Sequence, residues 1–387
     1  MTTQNNSFQT LVEKAMRNQT RSHMRPVIEK ELLHYDILFA LDQEGLLDSL
    51  TFQGGTSLRL CYGAPRFSED LDFVGGYDFE SRHLMSIKTC LEDYLIKRYA
   101  LEISIKEPKD FSQVPENKNI QVSKWQLRLV THPEQRDLPK QIIKIEIANV
   151  PAYTKTPKQL LYNYDFLPDG YNDTIVMVET LDEILADKIV AFVNCQAYVR
   201  HRDIWDFYWL KQQGAIVNMD LINRKIHDYK INDYTKNLEK TIENLNNIIN
   251  GPEFKAQMSR FLPTDIQERT LLNQKYLHLL SQDIFEMLDS LGFEWREEKN
   301  GEIYCANSLH RLTQTNFEKT IIMMKTLKDK HGLIIAYNKT PKALIVSIAD
   351  EPMAKELCML PIYQPSLSQG YRVDPLLQSG RWFIKFD

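Results

Sequence analysis

The chain has 387 residues, 43% hydrophobic and 26% charged, with a formal net charge of -5. That length suits two or three domains, and that apolar content buries a sizeable core, which excludes a chain disordered throughout. The acidic balance excludes a globally basic nucleic-acid binder but leaves room for a local basic face, and no apolar run approaches the ~18 residues of a membrane span.

The opening "MTTQNNSFQT" is polar and shows no apolar signal region. Cys61, Cys90, Cys195, Cys305 and Cys358 are odd in number and far apart, which predicts reduced thiols and a cytoplasmic protein. No Cys/His set has zinc spacing. A short helix is expected around Phe8 to Arg17, then a longer one from Pro26 to Gln43 with Val27, Leu32, Leu33, Ile37, Leu38 and Leu41 on its apolar side. "SLTF" reads as a strand leading into Gly54-Gly55, "TSLRLCYG" as a helix stopped by Gly63, and "DLDFVG" as a second strand. A long helix is expected over 79–98. "ALEISIK", "QVSKWQLRLV" and "KQIIKIEIANV" follow as strands rich in Ile, Val and Leu. From about Leu181 the pattern is helical, with Gly251-Pro252 as a boundary signal. The last stretch mixes strands ("EIYCA", "LIIAYN", "ALIVSIA", "WFIKF") with a helix at 316–328.

The chemistry concentrates in "FQGGTSLRLCYGAPRFSEDLDF". Asp70 and Asp72 are two apart, so in a strand both carboxylates leave one face while Leu71 and Phe73 enter the core. Side by side they repel, and a divalent cation relieves that repulsion; hard oxygen donors suit Mg²⁺ or Mn²⁺. A bare Asp-x-Asp is also what a solvated strand end looks like. Its context points elsewhere. Gly54 and Gly55 lie between strand and helix, where backbone N–H groups reach phosphate oxygens and the helix dipole favours negative charge. Thr56 or Ser57 either caps the helix or donates to a phosphate, and Arg66 and Ser68 either lock the turn or add phosphate contacts. In "KIEIANV", Glu146 leaves the face opposite Ile145 and Ile147. If its strand lies beside "DLDF", it completes a three-carboxylate metal site; otherwise it shares a solvated face with Lys144. Lys118, Lys124, Arg128, Arg136, Lys140 and Lys144, with Trp125 among them, form either an RNA-contacting strand pair or a charged outer sheet face.

These residues resemble the AbiEii/AbiGii-type toxin nucleotidyltransferases, a branch of the polymerase-beta-like nucleotidyltransferase superfamily. The resemblance rests on Gly-Gly-Thr, an apolar helix with Tyr-Gly, and Arg-x-Ser-x-Asp-Leu-Asp. "VIEKELLHYDILFAL" is similar to the helix before that motif, "LDEILADKIVAF" resembles a later helix offering Lys188, and "RHRDIWDFYWL" another offering Asp203 and Asp206. The resemblance implies that Gly55 and Thr56 contact the triphosphate, that Asp70 and Asp72 hold the metal, that Lys188 contacts phosphates or nucleotide, and that Asp203 orders the site. Glu146 stands for a variable acid, and Trp205 and Phe207 depart from the usual pattern. Nothing in 260–387 carries the resemblance.

The expected fold class is therefore α/β (α+β). A nucleotidyltransferase-type mixed sheet with flanking helices is expected over 1–175, a helical domain completing the site over 176–260, and a C-terminal α+β region over 261–387. The resemblance implies transfer of a nucleoside monophosphate from an NTP to an acceptor hydroxyl on RNA, such as tRNA, or on protein. It also implies a bacterial toxin–antitoxin or phage-defence role with a cognate antitoxin. A metal-dependent nuclease using the same carboxylates, and a non-catalytic binding protein retaining the fold, are the rival readings. No membrane partner is expected.

Overall fold

The structure, a computed structural model, describes residues 7–108, 120–135, 137, 139–289 and 291, together with strands at 334–337, 344–348, 376–378 and 381–386. The chain divides into two compact units, 1–284 and 285–387. Helices α1 (Phe8–Met16) and α2 (Arg25–Gln43) lead to strand β1 (Thr51–Gln53), helix α3 (Gly54–Tyr62) and strand β2 (Leu71–Val74). Helix α4 (Ile87–Tyr99) precedes β3 (Glu102–Lys106), β4 (Val122–Val130), β5 (Gln141–Ala148), β6 (Lys155–Gln159) and β7 (Ile175–Glu179). Seven helices follow among the described residues: α5 (Leu181–Asn194), α6 (His201–Gln212), α7 (Met219–Asp228), α8 (Tyr234–Asn250), α9 (Pro252–Ser259), α10 (Thr264–Arg269) and α11 (Gln274–Asp289).

Local chemistry sets these boundaries. The Ser7 hydroxyl accepts from the Thr10 N–H and caps α1, and Pro26 sits in the first turn of α2. The expected helix over 79–98 is shorter than its periodicity suggests. Glu80 and His83 close a capping box around a single 3-10 turn at Ser81–Leu84, and α4 starts only at Ile87. Strand β6 contains Pro157, which the fold tolerates because β6 is an edge strand paired only with β7.

The seven strands run in the order β3-β4-β5-β2-β1-β7-β6. The β2–β5 and β1–β7 pairs are parallel and the others antiparallel, so the sheet is mixed. In β4 and β5 the alternation is clean: Trp125, Leu127, Leu129, Ile143, Ile145 and Ile147 are fully buried on one face. Lys124, Arg128, Lys144 and Glu146 leave the other. Trp125 therefore belongs to the core, and the expected base stacking on it does not fit its parity in the strand.

In the second unit, β8 (Ile334–Tyr337), β9 (Leu344–Ile348), β10 (Leu376–Gln378) and β11 (Arg381–Phe386) form an antiparallel sheet in the order β10-β11-β9-β8. The expected "EIYCA" strand and the helix at 316–328 lie outside the described residues.

Gly251 turns the chain between α8 and α9 rather than ending the first unit. Phe254, Met258, Phe261 and Leu262 beyond it are buried, and the Phe67 N–H donates to the Phe261 carbonyl at 3.0 Å. A chain ending at 289 is expected to stay folded and melt cooperatively. One ending at Gly251 is expected to lose its cooperative melt, because each large core side chain removed costs about 2–5 kcal/mol, and Leu271, Leu277, Leu280 and Ile284 are lost along with those four. Calorimetry on the two truncations checks this.

Candidate active site

Strand pairing builds the centre. Asp72 sits in register with Gln53 of β1 on one side and with Glu146 of β5 on the other, and Glu146 is opposite Lys124 of β4. One row across four strands thus reads Gln53, Asp72, Glu146, Lys124. Asp70, just before β2, lies beside Lys144 in the next row. The Lys144 N–H donates to Asp70 Oδ1 at 3.1 Å, and its ammonium is 3.5 Å from Oδ2. Lys124 Nζ is 2.7 Å from Glu146 Oε1. Burial pushes the Asp72 carboxyl up to about 6; the neighbouring Glu146 and Asp70 charges add to that, while Lys188 and Arg200 oppose it.

The start of α3 abuts this row. Gly54 has φ +79°, and a Cβ there would stand 2.7 Å from Asp72 Oδ2. Only glycine gives the left-handed turn and lets the carboxylate approach. A Cβ on Gly55 would stand 2.5 Å from Arg66 Nη2 and 2.9 Å from Ser68 Oγ. The Thr56 hydroxyl donates to the Asp70 carbonyl and the Ser57 hydroxyl to the Gly54 carbonyl at 2.9 Å. Both hydroxyls hold the turn in shape. The helix-start N–H groups have no intrahelical partner and remain as anion donors.

A buried ionic cluster supports the turn from behind. Arg66 grips Asp206 with two hydrogen bonds, Nε to Oδ1 at 2.8 Å and Nη2 to Oδ2 at 2.6 Å. Lys188 of α5 reaches Asp203 Oδ1 at 3.0 Å and Asp206 Oδ2 at 2.8 Å. Arg200 binds Asp203 from the other side. Burial raises the Asp203 carboxyl, but Lys188 and Arg200 outweigh it and hold it at about 2. Three cations against two carboxylates leave an excess of positive charge beside the Asp72–Glu146 row.

These parts share one cleft of about 700 Å³. Gly54, Gly55, Arg66, Ser68, Asp70, Asp72, Glu146, Lys188 and Asp203 line it; Thr56, Ser57 and Asp206 stand behind its wall. The lining also includes Gln53, Lys144, Asp187, Tyr198, Arg200, Arg202 and Tyr229. Of these, Arg200 had a readable signal, its spacing of three from Asp203 at a helix start; Tyr198 and Tyr229 had none.

The matching family is described as "Nucleotidyl transferase AbiEii toxin, Type IV TA system", and the match spans residues 36–282. The chain belongs to that family. It is a nucleotidyltransferase toxin of the type IV toxin–antitoxin class. Among solved structures, similarity is found to MenT4, a nucleotidyltransferase toxin from Mycobacterium tuberculosis H37Rv, at 16% identity over 73% of this chain and 89% of that one, with a TM-score of 0.44. JHP933 from Helicobacter pylori matches at 16% identity over 80% of this chain and 98% of that one, with a TM-score of 0.35. No curated protein matches. Among the described residues, no helix of this AbiEii-family chain is long and apolar enough to cross a membrane.

A second acidic group borders the same cleft of the AbiEii-family fold. Glu179, Glu183 and Asp187 bring one carboxylate oxygen each within 4.8 Å of one another. The Lys225 ammonium already sits among them, 3.5, 2.7 and 2.9 Å from the three, and is fully buried. Burial and the Asp187 charge raise the Glu179 carboxyl, against the pull of Lys225. Glu183 also accepts from the Tyr153 N–H at 2.8 Å, so this group ties α5 and α7 to the chain before β6.

Proposed function

We propose that this nucleotidyltransferase moves a nucleoside monophosphate from an NTP to an acceptor hydroxyl, with Mg²⁺ or Mn²⁺ at Asp70, Asp72 and Glu146. The observation that carries this reading is the register of Asp72 with Glu146 on adjacent parallel strands, beside a glycine-led helix start and within the cleft that Lys188 lines. The donor set is all carboxylate oxygen, which fits a hard divalent ion. Such an ion supplies charge stabilisation to the α-phosphate and the departing pyrophosphate.

The chain's own residues bind and orient. The α3 start, Lys188 and Arg200 receive the triphosphate, and Arg66 and Asp206 fix the turn from behind. The acceptor oxygen forms a bond to the α-phosphorus, the bond to the β-phosphate bridge breaks, pyrophosphate leaves, and the acceptor proton passes to solvent. The acceptor hydroxyl belongs to RNA, such as tRNA, or to protein, and a cognate antitoxin restrains the activity in the cell.

Incubation with each α-labelled NTP and total RNA, followed by sizing of labelled product, tests the reading. Label is expected in a macromolecular acceptor with Mg²⁺ or Mn²⁺ and none in excess EDTA. Shortened RNA without incorporated label would make the protein a nuclease; full transfer in EDTA would sink the metal assignment.

A further inference from the structure

One carboxylate trio lines the cleft and a second borders it through Asp187, and each is balanced by lysine. They differ in what the lysine can do. Lys225 has no exposed surface, contacts three carboxylates and lies 3.4 Å from the Pro151 carbonyl, so it is fixed. The Lys124 and Lys144 side chains are 49% and 39% exposed, and each holds one carboxylate, Glu146 and Asp70 respectively. Their stems lie on the open sheet face, free to swing outward.

We infer that Lys124 and Lys144 are positioning residues that balance the metal carboxylates in the empty enzyme, so that the divalent ion is taken up with its triphosphate rather than alone. This rests on the metal assignment above. A bare ion must drive two ammonium groups from Glu146 and Asp70 into water and then share the site with their repulsion. A triphosphate brings its own oxygens, which receive the displaced ammoniums while the carboxylates turn to the ion. Uptake of ion and triphosphate is then coupled, and the coupling is reciprocal. A rigid lysine of the Lys225 kind would forbid this exchange; half-exposed ones permit it.

The test is calorimetric and needs no turnover. Mn²⁺ alone is titrated into wild type, Lys124→Met, Lys140→Met and Asp72→Asn, and Mn²⁺ tripolyphosphate into the first three. Met keeps the stem without the charge, and melting curves confirm the fold. Lys140 is the control, since it pairs with Glu102 away from the row. Lys124→Met is expected to bind bare Mn²⁺ about three- to tenfold more tightly than wild type, with unchanged or weaker binding of the tripolyphosphate complex. Lys140→Met is expected to match wild type. Equal or weaker bare-Mn²⁺ binding by Lys124→Met overturns the inference. If Asp72→Asn still loses Mn²⁺ in that case, the metal assignment stands without it. If Asp72→Asn binds Mn²⁺ as wild type does, or no form binds Mn²⁺ either alone or as its tripolyphosphate complex, both fall.

Discussion

Asp72→Asn is expected to reduce nucleotide transfer by roughly 10³-fold or more while raising the stability of the metal-free protein above pH 6. The two effects share one cause. Asp72 stands between Glu146 and the Gly54 turn, with its carboxyl pushed up to about 6 by burial and by the Glu146 and Asp70 charges. Asn keeps the size and one acceptor oxygen but not the charge that would hold the proposed ion, and several kcal/mol of transition-state stabilisation would go with it. Without metal the sign reverses. A carboxyl whose folded pKa lies above its unfolded value near 3.8 favours the fold most below that value, and the advantage is lost as pH rises through 6. Above pH 6 the wild type carries the full penalty of an ionised Asp72, up to about 3 kcal/mol, which Asn removes. Denaturant unfolding in EDTA at pH 4 and pH 8 reads it directly. The variant should be more stable at pH 8 and converge on wild type at pH 4. Asp70→Asn is expected to lose transfer similarly, since an amide oxygen still accepts from the Lys144 N–H. A normal transfer rate for either variant would make the pair a solvated strand end.

How much of this was legible in the chain follows from what kind of signal each part leaves. Period-two alternation in "KWQLRLV" and "IIKIEIA" set strand faces correctly, because a residue's parity decides whether it meets core or water. That same parity excludes Trp125 from the surface, where its mere presence among basic residues suggested a nucleic-acid platform. The Gly54 requirement was readable as a turn, but not its close contact with Asp72, which depends on how β1 and β2 pair. The Asp72–Glu146 pairing was conditional on two strands being neighbours, and no local property of either strand fixes that. It arises because β2 and β5 run parallel with α4, β3 and β4 intervening. Lys225 left no trace: in "NRKIHDY" it looks like any solvated helix lysine, and only the fold places three carboxylates around it.

Arg66→Met and Lys188→Met are expected to separate architecture from nucleotide binding within a single ionic cluster. Both cations touch Asp206, and both are buried. Arg66 is the two-pronged partner of Asp206 and also donates to the Phe67 carbonyl at 2.8 Å. Its guanidinium fills the space over Gly55 as well. Removing it leaves Asp206 buried with one weaker partner and frees the turn, which is expected to cost about 3–5 kcal/mol of stability. Lys188 is the additional cation. Without it, Arg66 still holds Asp206 and Arg200 still holds Asp203, so each carboxylate keeps a partner. The expected stability loss is about 1–2 kcal/mol. What Lys188→Met does remove is the surplus positive charge at the cleft wall, which the proposed mechanism sets against the triphosphate. Hydrogen bonds from charged groups contribute about 1.5–3 kcal/mol, so nucleotide affinity is expected to fall about ten- to a hundredfold. Urea unfolding and calorimetric titration with Mg²⁺ and a non-hydrolysable NTP, run on both variants, give the comparison. If Lys188→Met binds nucleotide as wild type does, the lysine serves only to balance Asp203 and Asp206. If it unfolds as readily as Arg66→Met, the cluster has no surplus cation, and the triphosphate must be held by the α3 start and Arg200 alone.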